Sequence, residues 1–192
     1  MSRRVFVGAL LIVVAVTGVV AANAVRGPRG DGPLRTSGRF SITVPLAYDQ
    51  VFVWGTALPP NSSQTDVRIT SIDPVGTSGL EILGVLVDFP VRQADGTCLV
   101  YGVQSAPSFP PPGLPTRDVN GTVLPTVDGE RGTCGSHPEV LVGVRRLPNA
   151  PAGRIDALRM LYVHEGITYE LVMPYSFDAC RPETNPAGCG RP

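Results

Sequence analysis

Val5 to Val25, VFVGALLIVVAVTGVVAANAV, is a run of twenty-one residues without a charge, and it constrains what every later part of the chain can be. As a helix at about 1.5 Å per residue it reaches roughly 31 Å, the thickness of a bilayer's hydrocarbon core, and a helix satisfies its own backbone hydrogen bonds there. Arg3 and Arg4 precede the run, as a cytoplasmic N-terminus asks. Arg26, Arg29 and Arg35 come after it, so charge counting alone does not fix the orientation. The reading is a signal-anchor that makes the protein single-pass. Its rival is a signal peptide cleaved near Ala24, because Ala22-Asn23-Ala24 has the small-x-small form of a cleavage site. The length of the run, beyond the usual core of about 7–15 residues, favours the anchor.

Four cysteines, Cys98, Cys134, Cys180 and Cys189, form an even set without a C-x-x-C pair, which points to two disulfides rather than to zinc. Disulfides persist outside the reducing cytosol, so the cysteines place the C-terminal part on the extracytoplasmic side. Sequence proximity favours Cys98 with Cys134 and Cys180 with Cys189, and this local pairing is the expectation, since the long loop before residue 139 has the reach to drape back over the sheet. Strands that simply alternate up and down would instead bring Cys98 and Cys180 to one end. Ser2-Arg3-Arg4-Val5-Phe6-Val7 also resembles the twin-arginine export signal, which leaves two export routes open.

Beyond the apolar run the chain divides into a flexible Gly/Pro/Arg spacer over residues 26–37, one domain over 38–180, and a polar tail over 181–192. The spacer contains Arg29-Gly30-Asp31, a tripeptide common by chance that would lie close to the membrane. The 192-residue chain has no lysine, and from Thr36 onward eleven arginines face fifteen acids, a formal charge of minus four that argues against nucleic acid. With 22 glycines and 20 prolines, it has the punctuation of short strands joined by turns. Runs rich in Val, Ile, Leu, Tyr and Phe predict eight strands, over 39–44, 50–58, 66–73, 80–88, 97–104, 139–146, 154–164 and 167–177. Residues 154–164 also hold good helix formers. Glu165-Gly166 decides for a strand there, because it closes a tight hairpin onto 167–177.

Residues 105–138 form a long loop, and a loop of that length is functional, mobile or stapled. Its Pro-rich first part, 107–117, favours an extended, exposed conformation, with Asn120-Gly121 turning a small hairpin behind it. Phe109, Leu114 and Arg117 are its candidates for contact with a partner. Pro112-Gly113-Leu114-Pro115-Thr116-Arg117 fits the P-x-x-P-x-R form read by Src-homology-3 domains, but such readers are mostly cytosolic, and a stiff spacer is the simpler reading. Asn61-Ser62-Ser63 and Asn120-Gly121-Thr122 match the glycosylation acceptor.

Acid-base chemistry has little to work with in two histidines, and no G-x-S-x-G elbow is present. His137, His164, Cys134 and Met160 supply the residue types of a copper site without the order or spacing of one. No catalytic residue, metal ligand or cofactor is therefore assigned. Residues 66–88 and 138–180 resemble the small immunoglobulin-like sandwiches of exported bacterial proteins, and the lysine-free, Arg-Pro-Gly-Val-rich usage is similar to that of actinobacterial envelope proteins. The resemblance implies architecture only. The expectation is an antiparallel, immunoglobulin-like β-sandwich of seven or eight strands behind one transmembrane helix. It would bind or scaffold an envelope protein or ligand. The alternative is an envelope enzyme or metal-handling domain using His137 and the loop acids Asp118, Asp128 and Glu130.

Overall fold

A computed structural model describes residues 27–36, 38–92, 98–99, 101–114, 116–126 and 138–182. The apolar run at 5–25 lies outside them, and no helix among the described residues is long and apolar enough to cross a membrane. The described part is all β, in fourteen strands. These are β1 (Phe40–Pro45), β2 (Val51–Ala57), β3 (Val67–Val75), β4 (Leu80–Asp88), β5 (Val91–Arg92), β6 (Cys98–Leu99) and β7 (Val103–Ala106). They continue with β8 (Arg117–Asp118), β9 (Val123–Leu124), β10 (Glu139–Arg146), β11 (Ala152–Ile155), β12 (Ala157–His164), β13 (Ile167–Met173) and β14 (Tyr175–Cys180).

One layer is a five-stranded sheet in the order β7-β2-β10-β4-β8. Its central strand β10, EVLVGVRR, is buried on both faces, with Val140, Val142 and Val144 pointing into the common core and Leu141 and Gly143 pointing the other way. The facing layer is built on a long hairpin. β12 pairs antiparallel with β13 from Leu158↔Met173 to His164↔Ile167, closed by Glu165 and Gly166 at φ 50° and 75°. Positive φ at both turn residues is the backbone twist a two-residue hairpin needs. At the other end the same two chains continue as β11 and β14, paired from Ala152↔Cys180 to Ile155↔Phe177.

Asp156 on one chain and Pro174 on the other interrupt this hairpin, so each of the predicted strands 154–164 and 167–177 is two strands with a kink between them. Proline has no N–H to give to a ladder, which explains a break at Pro174. Beyond the kink the neighbours change. β3 and β9 extend the β12 edge, whereas β1 pairs parallel with β14 from Phe40↔Tyr175 to Pro45↔Cys180. That parallel pair is the departure from a purely antiparallel sandwich.

The two layers meet over side chains that alternate inward. Phe52 and Trp54 of β2 each lie 5.7 Å, ring centre to ring centre, from Phe177 of β14. Ile69, Leu158, Met160 and Met173 are fully buried in the same cluster. Burying each such side chain contributes about 1.5–3 kcal/mol.

Three expectations change. The described part of the 26–37 stretch is packed onto the domain instead of spacing it off. Arg29 N donates to Thr168 O at 3.1 Å and Glu170 N to Arg29 O at 2.7 Å, so the stretch lies along the free edge of β13. Leu34 is fully buried in the core. Asn120-Gly121 does not turn a hairpin, because β8 pairs with β4 in one layer while β9 pairs with β3 in the other. The turn carries the chain across the sandwich. The Pro-rich stretch is not a free loop either. Phe109 is half-buried, Pro111 is buried, and the Phe109 ring rests on Gly84 and Gly143, which face each other across β4 and β10.

Candidate functional site

The kink between the two halves of the hairpin opens a cleft of about 370 Å³ on the solvent side of the second layer. Its walls come from β1 and its approach (Arg39, Phe40, Ser41), from β11 (Arg154) and from β13 and β14 (Val172, Ser176). Strand geometry places these groups together. Phe177 points into the core, so its neighbour Ser176 on β14 points the other way, and Ser41 stands beside Ser176 in the parallel register. Arg154 and Asp156 lie two residues apart on one face and form an ion pair. Asp156 also sits against Gly76, whose φ of 66° and missing Cβ leave the space that the carboxylate occupies.

Arg39 forms no ion pair among the described residues and is exposed beside Phe40 and Val172, which are 40% and 51% exposed. The Phe40 ring is held edge-on against Tyr175 at 6.5 Å. The cleft therefore offers one uncompensated positive charge, two hydroxyls and two fixed apolar surfaces. It can hold an anionic group next to an apolar one.

The sequence-derived candidates are scattered. Phe109 is committed to the two glycines beneath it, and Leu114 is half-buried. Arg117 is exposed and stacks over Phe89, its guanidinium carbon 4.6 Å from the ring centre. Cys134, His137 and Cys189 lie outside the described residues, as do the loop acids Asp128 and Glu130. Met160 is fully buried in the core, and the His164 ring nitrogen Nε2 is hydrogen-bonded to Thr65 Oγ1 at 2.8 Å, so these two of the copper-type residues are not brought together at a ligand site. Among the described residues no group of three or more His, Cys, Asp or Glu is placed to hold a metal.

Cys180 is disulfide-bonded. Cys98 and Cys180 sit at opposite ends of the sandwich. Cys98 pairs with Arg92, just past the Asp88 end of β4, and Tyr101 N donates to Glu139 at the start of β10. Cys180 O instead accepts from Leu46 N, and Leu46 O accepts from Arg146 at the far end of β10. Eight strand residues separate these ends by about 23 Å, against the ~4.4–6.8 Å between Cα atoms that a disulfide spans.

Of the two glycosylation acceptors, Asn61 is buried and its amide is fully used. Nδ2 donates to Thr65 O and Leu124 O at 2.9 and 3.0 Å, and Oδ1 accepts from Ser63. Asn120 is exposed on its turn.

Pro174, inside a run otherwise read as a strand, is the one sequence signal of the cleft. Its meaning depends on Asp156 standing beside it on the other chain, and nothing in either local sequence says so.

No protein-family model matches the chain, and no curated protein matches it. Among solved structures it is similar to the ASH / PapD-like domain of human CEP192 (PapD-like domain 7), with 14% sequence identity, 84% of this chain and 95% of that chain covered, and a TM-score of 0.29. At that TM-score the likeness carries no argument about function.

Proposed function

We propose that the chain is a binding or scaffolding module of the cell envelope, held to the membrane by residues 5–25 with its β-sandwich on the extracytoplasmic side. We infer that its partner contact is the cleft at the kinked hairpin. The observation that carries this reading is Arg39, exposed and unpaired beside the exposed Phe40 and Val172. Exposed apolar side chains next to an unmatched charge cost solubility and gain nothing in the isolated fold, but they suit a surface that a partner covers. The partner segment would present a carboxylate or another anion to Arg39 and an apolar side chain to the Phe40–Val172 surface. The disulfide at Cys180 supports a compartment outside the reducing cytosol.

The test is in-cell photocrosslinking from position 40 in the full-length chain. The expected result is a discrete adduct that Arg39→Glu abolishes while the circular dichroism and melting temperature of the protein stay unchanged. An adduct of equal yield with Arg39→Glu, or one that forms from position 109 and not from position 40, overturns the cleft as the contact. Topology is tested separately. Protease added to intact cells should remove the domain from a protein whose N-terminus is still near Met1, whereas a mature N-terminus near Val25 would make it a secreted protein.

A further inference from the structure

The outward face of the five-stranded sheet buries two carboxylates side by side. Asp88 ends β4, Glu139 begins β10, and the two are directly opposed in the antiparallel register. Opposed residues stand on one face with Cβ atoms about 4.5–5.5 Å apart. Asp88 is 3% exposed and Glu139 8% exposed. Neither forms an ion pair with an arginine of the described residues. Their neutral partners are few. Glu139 Oε2 accepts from Tyr101 N at 2.7 Å, and Asp88 accepts from the Phe89 backbone. The Asp88 Oδ1 atom is buried with no hydrogen-bond partner among the described residues.

On the β2 side, the residue opposite Glu139 is the small Ala57, which brings no charge to the pair. Burying one carboxylate without a counter-charge is costly, and placing a second beside it compounds the cost. A cation is the group that answers both. The donor set is oxygen only, which selects a hard ion such as Ca²⁺ or Mg²⁺ over the softer metals that take imidazole or thiolate.

We propose that Asp88 and Glu139 form a divalent-cation site, of calcium type, on the outward face of the sheet, with Asp88 Oδ1 and the Glu139 carboxylate as its protein ligands and water completing the shell. Two carboxylates make it a weak site, in the range of about 0.1–1 mM that extracytoplasmic calcium modules occupy. A bound ion would pull on Glu139, whose Oε2 atom holds Tyr101, and so tie the 101–114 segment to the sheet it covers. The site is independent of the cleft, which lies on the other layer.

Calorimetric titration of CaCl₂ and MgCl₂ into the chelator-treated full-length chain tests the proposal. The expected result is one saturable site per chain, with binding weakened at least tenfold by Asp88→Asn and at least tenfold by Glu139→Gln. Glu81→Gln, an exposed acid on the same strand, should leave it unchanged. Should Asp88→Asn fail to fold, Glu139→Gln carries the same test. No saturable heat up to 10-fold above that range for either ion overturns the site, as does binding that survives both variants. A melting temperature that rises in both variants and does not respond to either ion also overturns it, because the pair is then answered by a shared proton.

Discussion

The two faces of the five-stranded sheet are both buried, by opposite means. On the inner face Trp54, Val140, Val142 and Val144 interlock with Phe177, Leu158 and Met160 of the second layer, large side chain against large side chain. On the outer face the sheet contributes glycines, Gly55, Gly84 and Gly143, and the covering segment contributes the bulk, with Gly102 against Gly55 and the Phe109 ring over the other two. Interior packing of the first kind is fixed by the strands alone. The second kind needs the 101–114 segment, which gives the sheet only the short edge strand β7, to fold back over it, and bare strand positions are what let it come close.

The sharpest way to test this difference is to remove bulk from the inner face. Trp54→Ala should cost about 3–5 kcal/mol, the range for deleting a buried aromatic side chain, read as a loss of denaturant midpoint. Loss of less than about 1 kcal/mol would mean that the inner face is not the principal core. Adding bulk on the outer face should cost less. A methyl at Gly143 overlaps the Phe109 ring, so Gly143→Ala is expected to destabilise by about 1–3 kcal/mol. Combined with Phe109→Ala it should cost clearly less than the sum of the two single changes, because the ring that objects is gone. Strict additivity in that cycle would show that Phe109 does not sit where the two glycines leave room.

Smaller again is the response to pH on the outer face. Burial raises the Asp88 carboxyl above its ordinary value, against a hydrogen bond from the Phe89 backbone that lowers it. The folded protein then holds this proton more tightly than the unfolded chain does. With no divalent ion present, Asp88 therefore weakens the fold at neutral pH, and this penalty fades as pH falls from the raised folded value to the ordinary one. Asp88→Asn in chelator should accordingly be more stable than the parent at pH 7, with the gap closing toward pH 4. A gap that widens on acidification would reverse the assignment. The least effect belongs to the rim. Arg145 and Glu81 form an exposed pair at 3.5 Å on the same face, and removing either should change stability by no more than about 1 kcal/mol.

Strand content was legible wherever a run of β-branched and aromatic residues is itself the element. The predicted strands at 80–88 and 139–146 match β4 and β10 residue for residue, and Glu165-Gly166 turns the hairpin that its residue types predict. What escaped was set at a distance. Where the Phe109 ring comes to rest depends on Gly84 and Gly143, which stand tens of residues away and are silent in any local pattern. The parallel pairing of β1 with β14 joins residues more than 130 apart in the chain, and no periodicity records it. The cleft inherits that distance, since Arg39 and Phe40 reach Val172 and Ser176 only through this pairing. Leu34 escaped for a different reason. Its neighbours are glycine, proline and arginine, so the composition of the stretch outvoted the one residue that decides its fate.

The backbone bonds of Arg29 to Thr168 and Glu170 also set the length of a leash. A spacer running over residues 26–37 as a Gly-rich coil would put its two ends about 20 Å apart on average and would let the domain roll and tilt over the lipid. With Arg29 already fastened to β13, four steps of chain separate it from Val25, a reach of at most about 14 Å. Under the proposed anchoring, the end of the sandwich that carries the 165–166 turn is then the underside, held against the headgroups. The cleft, partway along the layer, faces sideways at a nearly constant height. A domain on so short a leash meets partners that lie beside it in the same membrane far more often than partners that come from the bulk.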